Sequence, residues 1–233
     1  ELGKPFLGAE SLTSSGENDP FTEHPYSVKN MTDWGLSQGV NRFIFHRTAL
    51  NPWVDKWPGM TFGPYGFHVD RTQTWWKQGK AYMDYLARCQ SLLQQGRFVA
   101  DYCRLLPDGE NYGGSPMMET LPAQYGAAPD GYNYDCNSDK LTIESLSVKD
   151  GRLVLPSGMS YRVMQLPNYE TMTPELLAKV RDLVKAGAVV VGPPPRRSPS
   201  LVDYPACDTQ VKEIAAELWG DCDGTNVLEN SCG

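Results

Sequence analysis

The sequence lacks several features that would assign it to common functional classes. It has no apolar run of about twenty residues, so no transmembrane helix is predicted. Its net charge of -7 argues against binding a nucleic-acid backbone, which needs basic surface. It has neither a glycine-rich phosphate loop nor a Gly-x-Ser-x-Gly elbow, so nucleotide binding and nucleophilic acyl transfer are not indicated. We therefore expect a neutral ligand.

The six cysteines are dispersed without Cys-x-x-Cys spacing, so neither a zinc site nor a redox motif is predicted. We interpret them as buried free thiols and leave open one disulfide between Cys222 and Cys232. The chain has no initiator methionine or signal peptide and opens almost inside a strand, so we expect a fragment of a longer protein. We expect that protein to be secreted or periplasmic in a bacterium.

The first half alternates short apolar runs with helical patterns, which is typical of a parallel α/β layer. The runs predict strands over 4–9, 41–46 and 98–103, and the patterns between them predict helices over 27–38 and 75–95. A long aromatic loop follows the second strand, as at the catalytic edge of an α/β barrel. About three βα units are too few to close a barrel, so we predict part of a (β/α)8 TIM-type barrel over residues 1–128.

The second half predicts a separate, doubly wound domain over residues 129–233, truncated at its end. A buried strand at 161–166 precedes a helix that Thr173 caps and Pro174 begins, and a second strand follows at 188–191. Another helix is predicted to open at Asp208. This βαβ unit favours a flavodoxin-like fold, similar to class I amidotransferases.

Two glutamates are the candidate catalytic residues. Glu10 and Glu110 each follow a β-type run and lie among tryptophans and tyrosines. Hydrolysis of a glycosidic bond requires two carboxyl groups, one that protonates the leaving oxygen and one that activates water or attacks. Among the neighbouring carboxylates, Asp70 is the strongest competitor.

Polar and aromatic residues near these runs are candidates for binding a sugar. Imidazole, carboxylate and guanidinium groups bond to sugar hydroxyls, and a tryptophan offers a flat apolar face. A buried structural histidine and a core tryptophan are the alternative interpretations. The residues predicted to bind substrate are His46, His68, Asp70, Arg71, Trp75 and Asn41.

Several long stretches form a composite pattern that is more specific than any short motif. They include Gly-Val-Asn-Arg-Phe-Ile-Phe-His at 39–46, Pro-Gly-Met-Thr-Phe-Gly-Pro-Tyr-Gly at 58–66, Asp-Arg-Thr-Gln-Thr-Trp-Trp at 70–76 and the segment 85–96, with shorter ones at 155–162, 172–174 and 198–201. The pattern resembles glycoside hydrolase family 106, the α-L-rhamnosidases. The likeness covers nearly the whole chain, as the C-terminal part of the catalytic barrel and the following α/β domain.

The resemblance implies an inverting hydrolase that removes terminal L-rhamnose from plant-type glycans. Glu10 would be the acid, at the end of an Ala-Glu strand, and Glu110 the base, in a Gly-Glu turn. The family turn reads close to Gly-Glu-Asp, whereas Asn111 follows here. Inversion requires the two carboxyl groups to be ~6.5 to 9.5 Å apart, so that water fits opposite the leaving oxygen.

The resemblance also implies a calcium ion, whose ligands remain unassigned. The oxygen-rich segment 134–139 could contribute, or could be a polar turn that caps a helix. Two other functions remain open: another barrel glycosidase such as a β-galactosidase, and a non-catalytic carbohydrate-binding fragment. The oligomeric state is also left open. We expect the isolated fragment to be inactive and prone to aggregation, because a partial barrel exposes strand edges and an apolar face.

Overall fold

Of the 233 residues, the computed structural model describes 5–13, 21–57, 59–61, 63, 65–107, 125 and 130–220. The chain divides into two units between Phe98 and Val99. We call Lys4–Phe98 the first unit and the part from Val99 onward the second unit. None of the described helices is long and apolar enough to cross a membrane.

The first unit consists of two parallel strands, each followed by a helix: β1 (Gly8–Ser11), α1 (Pro25–Ser37), β2 (Arg42–Phe45) and α2 (Gly79–Leu93). Phe43 and Phe45 pack into the small core that the strands share with the helices. Because side chains alternate along a strand, Ile44 and its partner Glu10 lie on the opposite face. Ile44 is 53% exposed there. The helices therefore cover only one face of this pair of strands.

Local signals determine the ends of α1. The Nδ1 atom of His24 accepts a hydrogen bond from the Ser27 backbone, and the Ser27 hydroxyl accepts one from the His24 backbone. Pro25 occupies the first turn, where its missing N–H costs nothing. Gly39 follows the helix with a φ of +94°, the left-handed conformation that favours glycine. The predicted helix over 27–38 is confirmed, with an earlier start.

Helix α2 begins later than the predicted residue 75. Trp75 lies in a turn before the helix and stacks on Phe67, with 4.9 Å between ring centroids. Gly79 then opens the helix against the Trp75 ring, where no Cβ would fit without a shift. Helix α2 is joined to α1 by a hydrogen bond of 2.6 Å between the Tyr82 and Thr32 hydroxyls.

The second unit contains a parallel sheet of four strands, β3 (Tyr102–Leu105), β4 (Tyr134–Asn137), β8 (Val163–Gln165) and β9 (Val189–Val191). They lie in the order β4-β3-β8-β9. Its helices are α3 (Asp139–Ser145), α4 (Pro174–Lys185) and α5 (Ala206–Trp219). A small antiparallel sheet, which the sequence did not predict, contains β5 (Ser147–Lys149), β6 (Arg152–Val154) and β7 (Ser160–Tyr161).

The predicted βαβ segment of the second unit is confirmed. Thr173 caps α4 by accepting a hydrogen bond from the Leu176 backbone, and Pro174 is the first helical residue. The apolar side of α4 enters the core, where Leu177 and Val180 are fully buried. Among the described cysteines, Cys103 and Cys207 are buried and Cys89 and Cys136 are partly buried, and no disulfide joins any of these four. Cys222 and Cys232 lie outside the described residues.

The structure corrects the place of the third predicted strand. β3 begins at Tyr102 instead of residue 98 and pairs with β4 and β8, not with β2. It continues to Leu105 because Arg104 is accommodated inside the fold: its guanidinium lies 3.8 Å from the centre of the Tyr134 ring and donates to Gln165. The chain therefore divides after Phe98, earlier than the predicted boundary at residue 128.

Candidate active site

The carboxyl ends of β1 and β2 lie at one edge of the first unit because the strands are parallel. Glu10 is the next-to-last residue of β1, and its side chain is exposed. His46 follows β2 directly and is half-buried. Its Nδ1 atom has no hydrogen-bond partner among the described residues. The structure thus brings a predicted catalytic carboxylate and a predicted substrate-binding imidazole to the same edge.

An extended pairing continues this edge beyond β2. The Phe67 backbone donates to the His46 carbonyl at 2.8 Å, and the Val69 backbone donates to the Arg47 carbonyl at 3.0 Å. Gly66 makes this approach possible, since its φ is +100° and a Cβ would overlap the His46 backbone and ring. The pairing brings the following polar residues beside the end of β2.

His68 is the more deeply buried of the two imidazoles at this edge, with 3% of its surface exposed. Its ring is 4.5 Å from the Phe21 ring, and its Nε2 atom is 3.4 Å from the Gly63 carbonyl. Burial lowers the pKa of His68 below its ordinary value of 6.5, and the positive charge of Arg47 lowers it further. The imidazole is therefore neutral at pH 7.

Asp70 and Arg71 are both held by their own loop. One Asp70 carboxylate oxygen accepts hydrogen bonds from the backbone and the hydroxyl of Thr72, which closes a turn. Arg71 donates to the carbonyls of Asn51 and Trp53 and so ties the preceding loop to this turn. Asp70 is buried and Arg71 is exposed.

Asn41 lies at the opposite end of the strands, before β2 begins. Its side-chain oxygen accepts from the Leu7 backbone at 2.8 Å, and its amide nitrogen donates to the Pro5 carbonyl at 2.7 Å. Both polar groups therefore join the start of β1 to β2. The structure separates Asn41 from the other predicted substrate-binding residues and shows it in a structural role.

A small polar pocket opens beside His68 and Asp70. Its volume is about 110 Å³, and Phe21, Thr61, Thr72 and Gln73 complete its lining. At roughly 30 Å³ for each water molecule, it has room for a few waters or one substituent of a sugar ring. We call it the small pocket.

A larger cavity of about 600 Å³ adjoins the small pocket, because Phe21 and Gln73 line both. Trp75 lines it, as do Glu23, His24 and Tyr26, which were not predicted to bind substrate. In the sequence, Glu-His-Pro at the beginning of α1 is the pattern of a helix start. A role of these residues in ligand binding is therefore not visible from the sequence alone. We call this space the large cavity.

Glu110 lies outside the described residues. Its separation from Glu10 therefore remains a prediction. The strand that precedes it, β3, belongs to the sheet of the second unit and not to the sheet that holds Glu10. The two predicted catalytic glutamates therefore lie in or after strands of two different sheets.

The described residues contain no cluster of acidic side chains that would mark a calcium site. No group of three or more histidine, cysteine, aspartate or glutamate side chains gathers among them. In the oxygen-rich segment 134–139, which forms β4 and the start of α3, the two Asp135 oxygens accept from the Cys136 backbone and the Tyr161 hydroxyl. Ser138 caps α3 by accepting from the Leu141 backbone, which is the alternative interpretation of this segment.

Comparison with known proteins establishes the family. The model of the α-L-rhamnosidases, glycoside hydrolase family 106, matches residues 2–231. The chain belongs to this family. The fold is a mixed α/β fold similar to the solved structure of a rhamnosidase from Novosphingobium sp. PP1Y, with a TM-score of 0.81 and 31% identity. That match covers 94% of this chain and 20% of the rhamnosidase.

A second relative of this family 106 chain carries a different name. A Formosa agariphila protein named "Putative beta-glucuronidase" is 43% identical over 219 residues, which are 94% of this chain and 18% of that protein. The chain thus spans about a fifth of the length of the relatives it matches. The two names agree on glycoside hydrolysis and differ in the sugar.

Proposed function

We propose that this chain is part of an inverting α-L-rhamnosidase that removes terminal L-rhamnose from plant-type glycans. The observation that carries the proposal is the family match over residues 2–231. It is supported by an exposed carboxylate, Glu10, at the carboxyl ends of parallel strands, where α/β enzymes hold their catalytic groups.

The first unit would form part of a (β/α)8 barrel. Helices cover one face of β1 and β2, while the face with Glu10 and Ile44 has no covering helix among the described residues. In a barrel that second face would point inward, and side chains of other strands would cover Ile44. Glu10 would then project into the mouth of the barrel.

The second unit would be a flavodoxin-like domain. Numbered along the chain, its parallel strands lie in the order 2-1-3-4. This agrees with the first four positions of the doubly wound order 2-1-3-4-5. No catalytic residue is proposed among its described residues.

Glu10 would act as the general acid and protonate the leaving oxygen. A second carboxylate must activate water from the opposite side of the sugar, and Glu110 remains our candidate. Since the chain spans about a fifth of its relatives, the competing candidate is a carboxylate elsewhere in the complete protein. No step is assigned to calcium, because no cluster of three or more histidine, cysteine, aspartate or glutamate side chains occurs among the described residues.

The residues at the end of β2 would bind the sugar. His46 and the small pocket with His68 and Asp70 lie at the same edge as Glu10 and offer hydrogen-bonding groups. Arg71 would fix the loop that carries them, given its bonds to two carbonyls of that loop. Trp75 belongs to the large cavity, and Asn41 is not part of the proposed site.

The charges of the small pocket favour rhamnose over glucuronic acid. Asp70 is acidic, His68 is neutral at pH 7, and no lysine or arginine belongs to the described lining. A uronate carboxylate would be repelled by Asp70, and Arg47, whose positive charge reaches His68, is already bonded to the Gly63 carbonyl. Rhamnose carries no charge, so this cost does not arise.

The test compares nitrophenyl glycosides with the complete protein. We expect hydrolysis of the α-L-rhamnoside, with the inverted anomer as the first product by NMR, and little activity on the β-D-glucuronide or β-D-galactoside. Preferential hydrolysis of the glucuronide would support the activity in the name of the Formosa relative. Binding of rhamnosides without hydrolysis would support a carbohydrate-binding protein instead.

The role of Glu110 is tested by Glu110→Gln in the complete protein. Loss of a catalytic base reduces kcat by about 10²–10⁴-fold. Glu144→Gln, at an exposed glutamate of α3, is the matched control and should retain full activity. Unchanged turnover in Glu110→Gln would remove this residue from the mechanism and leave the base to another segment.

A further inference from the structure

We propose that the large cavity is a binding site for a second sugar unit of the glycan, and that this unit is a neutral pyranose. The inference rests on the proposed function, because the small pocket is taken to hold part of the terminal sugar. The large cavity shares Phe21 and Gln73 with that pocket, so a glycan can extend from one into the other. Its volume of about 600 Å³ is within the range of about 300–1,000 Å³ typical of small-molecule sites.

The cavity is built by fixed elements of the first unit. It lies between the residues that precede and begin α1 and those that precede and begin α2. The His24–Ser27 capping box fixes one wall. Trp75 fixes the other, since its ring stacks on Phe67 within 6° of parallel and its N–H donates to the Glu23 carbonyl at 3.1 Å. Preorganised walls reduce the entropy cost of binding.

Aromatic rings give the cavity surfaces for the C–H faces of a sugar. Tyr26 is 86% exposed at the first turn of α1, and its ring lies nearly parallel to that of His24. Such exposure costs hydration free energy for a large ring, and a ligand that covers the ring recovers part of it. Phe21 and Trp75 provide further apolar surface.

Polar groups of the cavity match sugar hydroxyls. Because His24 Nδ1 accepts the hydrogen bond from the Ser27 backbone, its Nε2–H is left as a donor. One oxygen of the Glu23 carboxylate accepts from the Ser27 hydroxyl, which leaves the other oxygen as an acceptor. The side-chain amides of Gln73 and Gln78 add donors and acceptors to the lining.

The charge of the lining decides between neutral and acidic sugars. Glu23 is its acidic residue, and the described lining contains no lysine or arginine. A uronic acid or sulfated sugar would place a negative charge near Glu23 without a basic side chain to pair with it. A neutral pyranose meets no such repulsion.

The test fills the cavity and measures dependence on the second sugar. Ala81→Phe places a ring in the cavity from an exposed position of α2, and Ala87→Phe places the same ring on the same helix outside it. In the complete protein, kcat/KM is measured on α-L-rhamnosyl fluoride, which has only the terminal ring, and on α-L-rhamnosyl-glucose. The specificity ratio is kcat/KM on the disaccharide divided by kcat/KM on the fluoride. We expect Ala81→Phe to lower this ratio at least tenfold, because KM for the disaccharide rises. Ala87→Phe should leave the ratio unchanged.

A second variant removes a side chain instead of adding one, so its effect does not depend on how a new ring packs against α2. Tyr26→Ala removes an 86% exposed ring of the cavity, with Trp34→Ala, on the same helix outside the cavity, as its control. We expect Tyr26→Ala to lower the specificity ratio in the same direction as Ala81→Phe, and Trp34→Ala to leave it unchanged. The proposal would be overturned if Ala81→Phe and Ala87→Phe had the same specificity ratio. It would also be overturned if Ala81→Phe lowered kcat/KM equally on both substrates.

Failure of the proposed function is recognised separately. If the wild-type protein hydrolyses neither compound, binding of the disaccharide is measured by titration calorimetry with the same variants. Binding that is lost in Ala81→Phe and kept in Ala87→Phe would support the sugar site without the hydrolase. Absence of binding to the wild type would overturn the site itself.

Discussion

The two units differ in how much apolar surface they bury. Among the described residues, the core of the second unit contains eighteen buried apolar residues, and that of the first contains five. The first unit exposes four of its tryptophans, Trp34, Trp53, Trp57 and Trp76. The second unit thus buries more of its apolar residues in its own core, while the first presents aromatic groups on its surface, where other molecules or other parts of a longer protein can cover them. This difference agrees with the proposed sugar site in the first unit.

The largest expected effect tests the core of the second unit. Leu177→Ala removes a fully buried side chain of α4 and should lower the free energy of unfolding by about 2–5 kcal/mol. Leu201→Ala, at an 83% exposed leucine of the same unit, is the control and should have little effect. Urea denaturation measures both. Equal effects of the two substitutions would show that this core does not carry the stability.

A substitution of comparable severity tests the arrangement at the end of β2. Gly66→Ala requires a left-handed conformation and overlaps His46, so it should cost about 1–3 kcal/mol and displace the His46 and His68 region. Gly96→Ala is the matched control, because a Cβ there meets no atom within 4 Å. Thermal unfolding compares the two. A Gly66→Ala protein as stable as Gly96→Ala would contradict the close approach.

A smaller effect concerns the cap of α4. Thr173→Ala removes the acceptor for the Leu176 backbone and should lower the free energy of unfolding by about 1 kcal/mol. Thr173→Ser keeps the acceptor and should restore most of the stability. If serine and alanine are equivalent in urea denaturation, the hydroxyl does not cap the helix.

The smallest predicted effect is a dependence of stability on pH in the first unit. The pKa of His68 is lower in the folded state than its ordinary value of 6.5, so between these values the unfolded state binds more protons. The stability should be complete above about pH 6.5 and should decline as the pH falls through the lowered pKa. Urea midpoints between pH 7 and 5 measure the decline, which His68→Gln should reduce. An identical decline in His68→Gln would assign it to other groups.

The parts of the fold that local chemistry specifies were predictable from the sequence. The Thr173-Pro174 cap and the apolar face of α4 determine that helix without help from distant residues. The same holds for α1, where a histidine replaces the usual capping residues but Pro25 and Gly39 still mark the ends.

The parts that depend on distant partners were not predictable. The sequence predicts β3 as a third strand of the first sheet, but strand pairing depends on distant residues. It also predicts that the strand ends before Arg104, because the contacts of this side chain with Tyr134 and Gln165 are not visible in the sequence. Trp75 reads as helical until its stacking on Phe67 is known. At the candidate site, whose residues stay predictions, the structure brings His46, His68 and Asp70 together beside the end of β2. Asn41, which the sequence places in the strand 41–46, lies before β2 and bonds to the residues that precede β1.

The central claim is that Glu10 protonates the leaving oxygen, and the dependence of Glu10→Gln on the leaving group tests it most directly. In the complete protein, the rate is measured on a methoxyphenyl α-L-rhamnoside, whose leaving group needs protonation, and on the dinitrophenyl α-L-rhamnoside, whose leaving group does not. We predict a loss of about 10²–10⁴-fold on the first substrate and a much smaller loss on the second, in a protein that melts like the wild type. Unchanged rates on both substrates would contradict the claim.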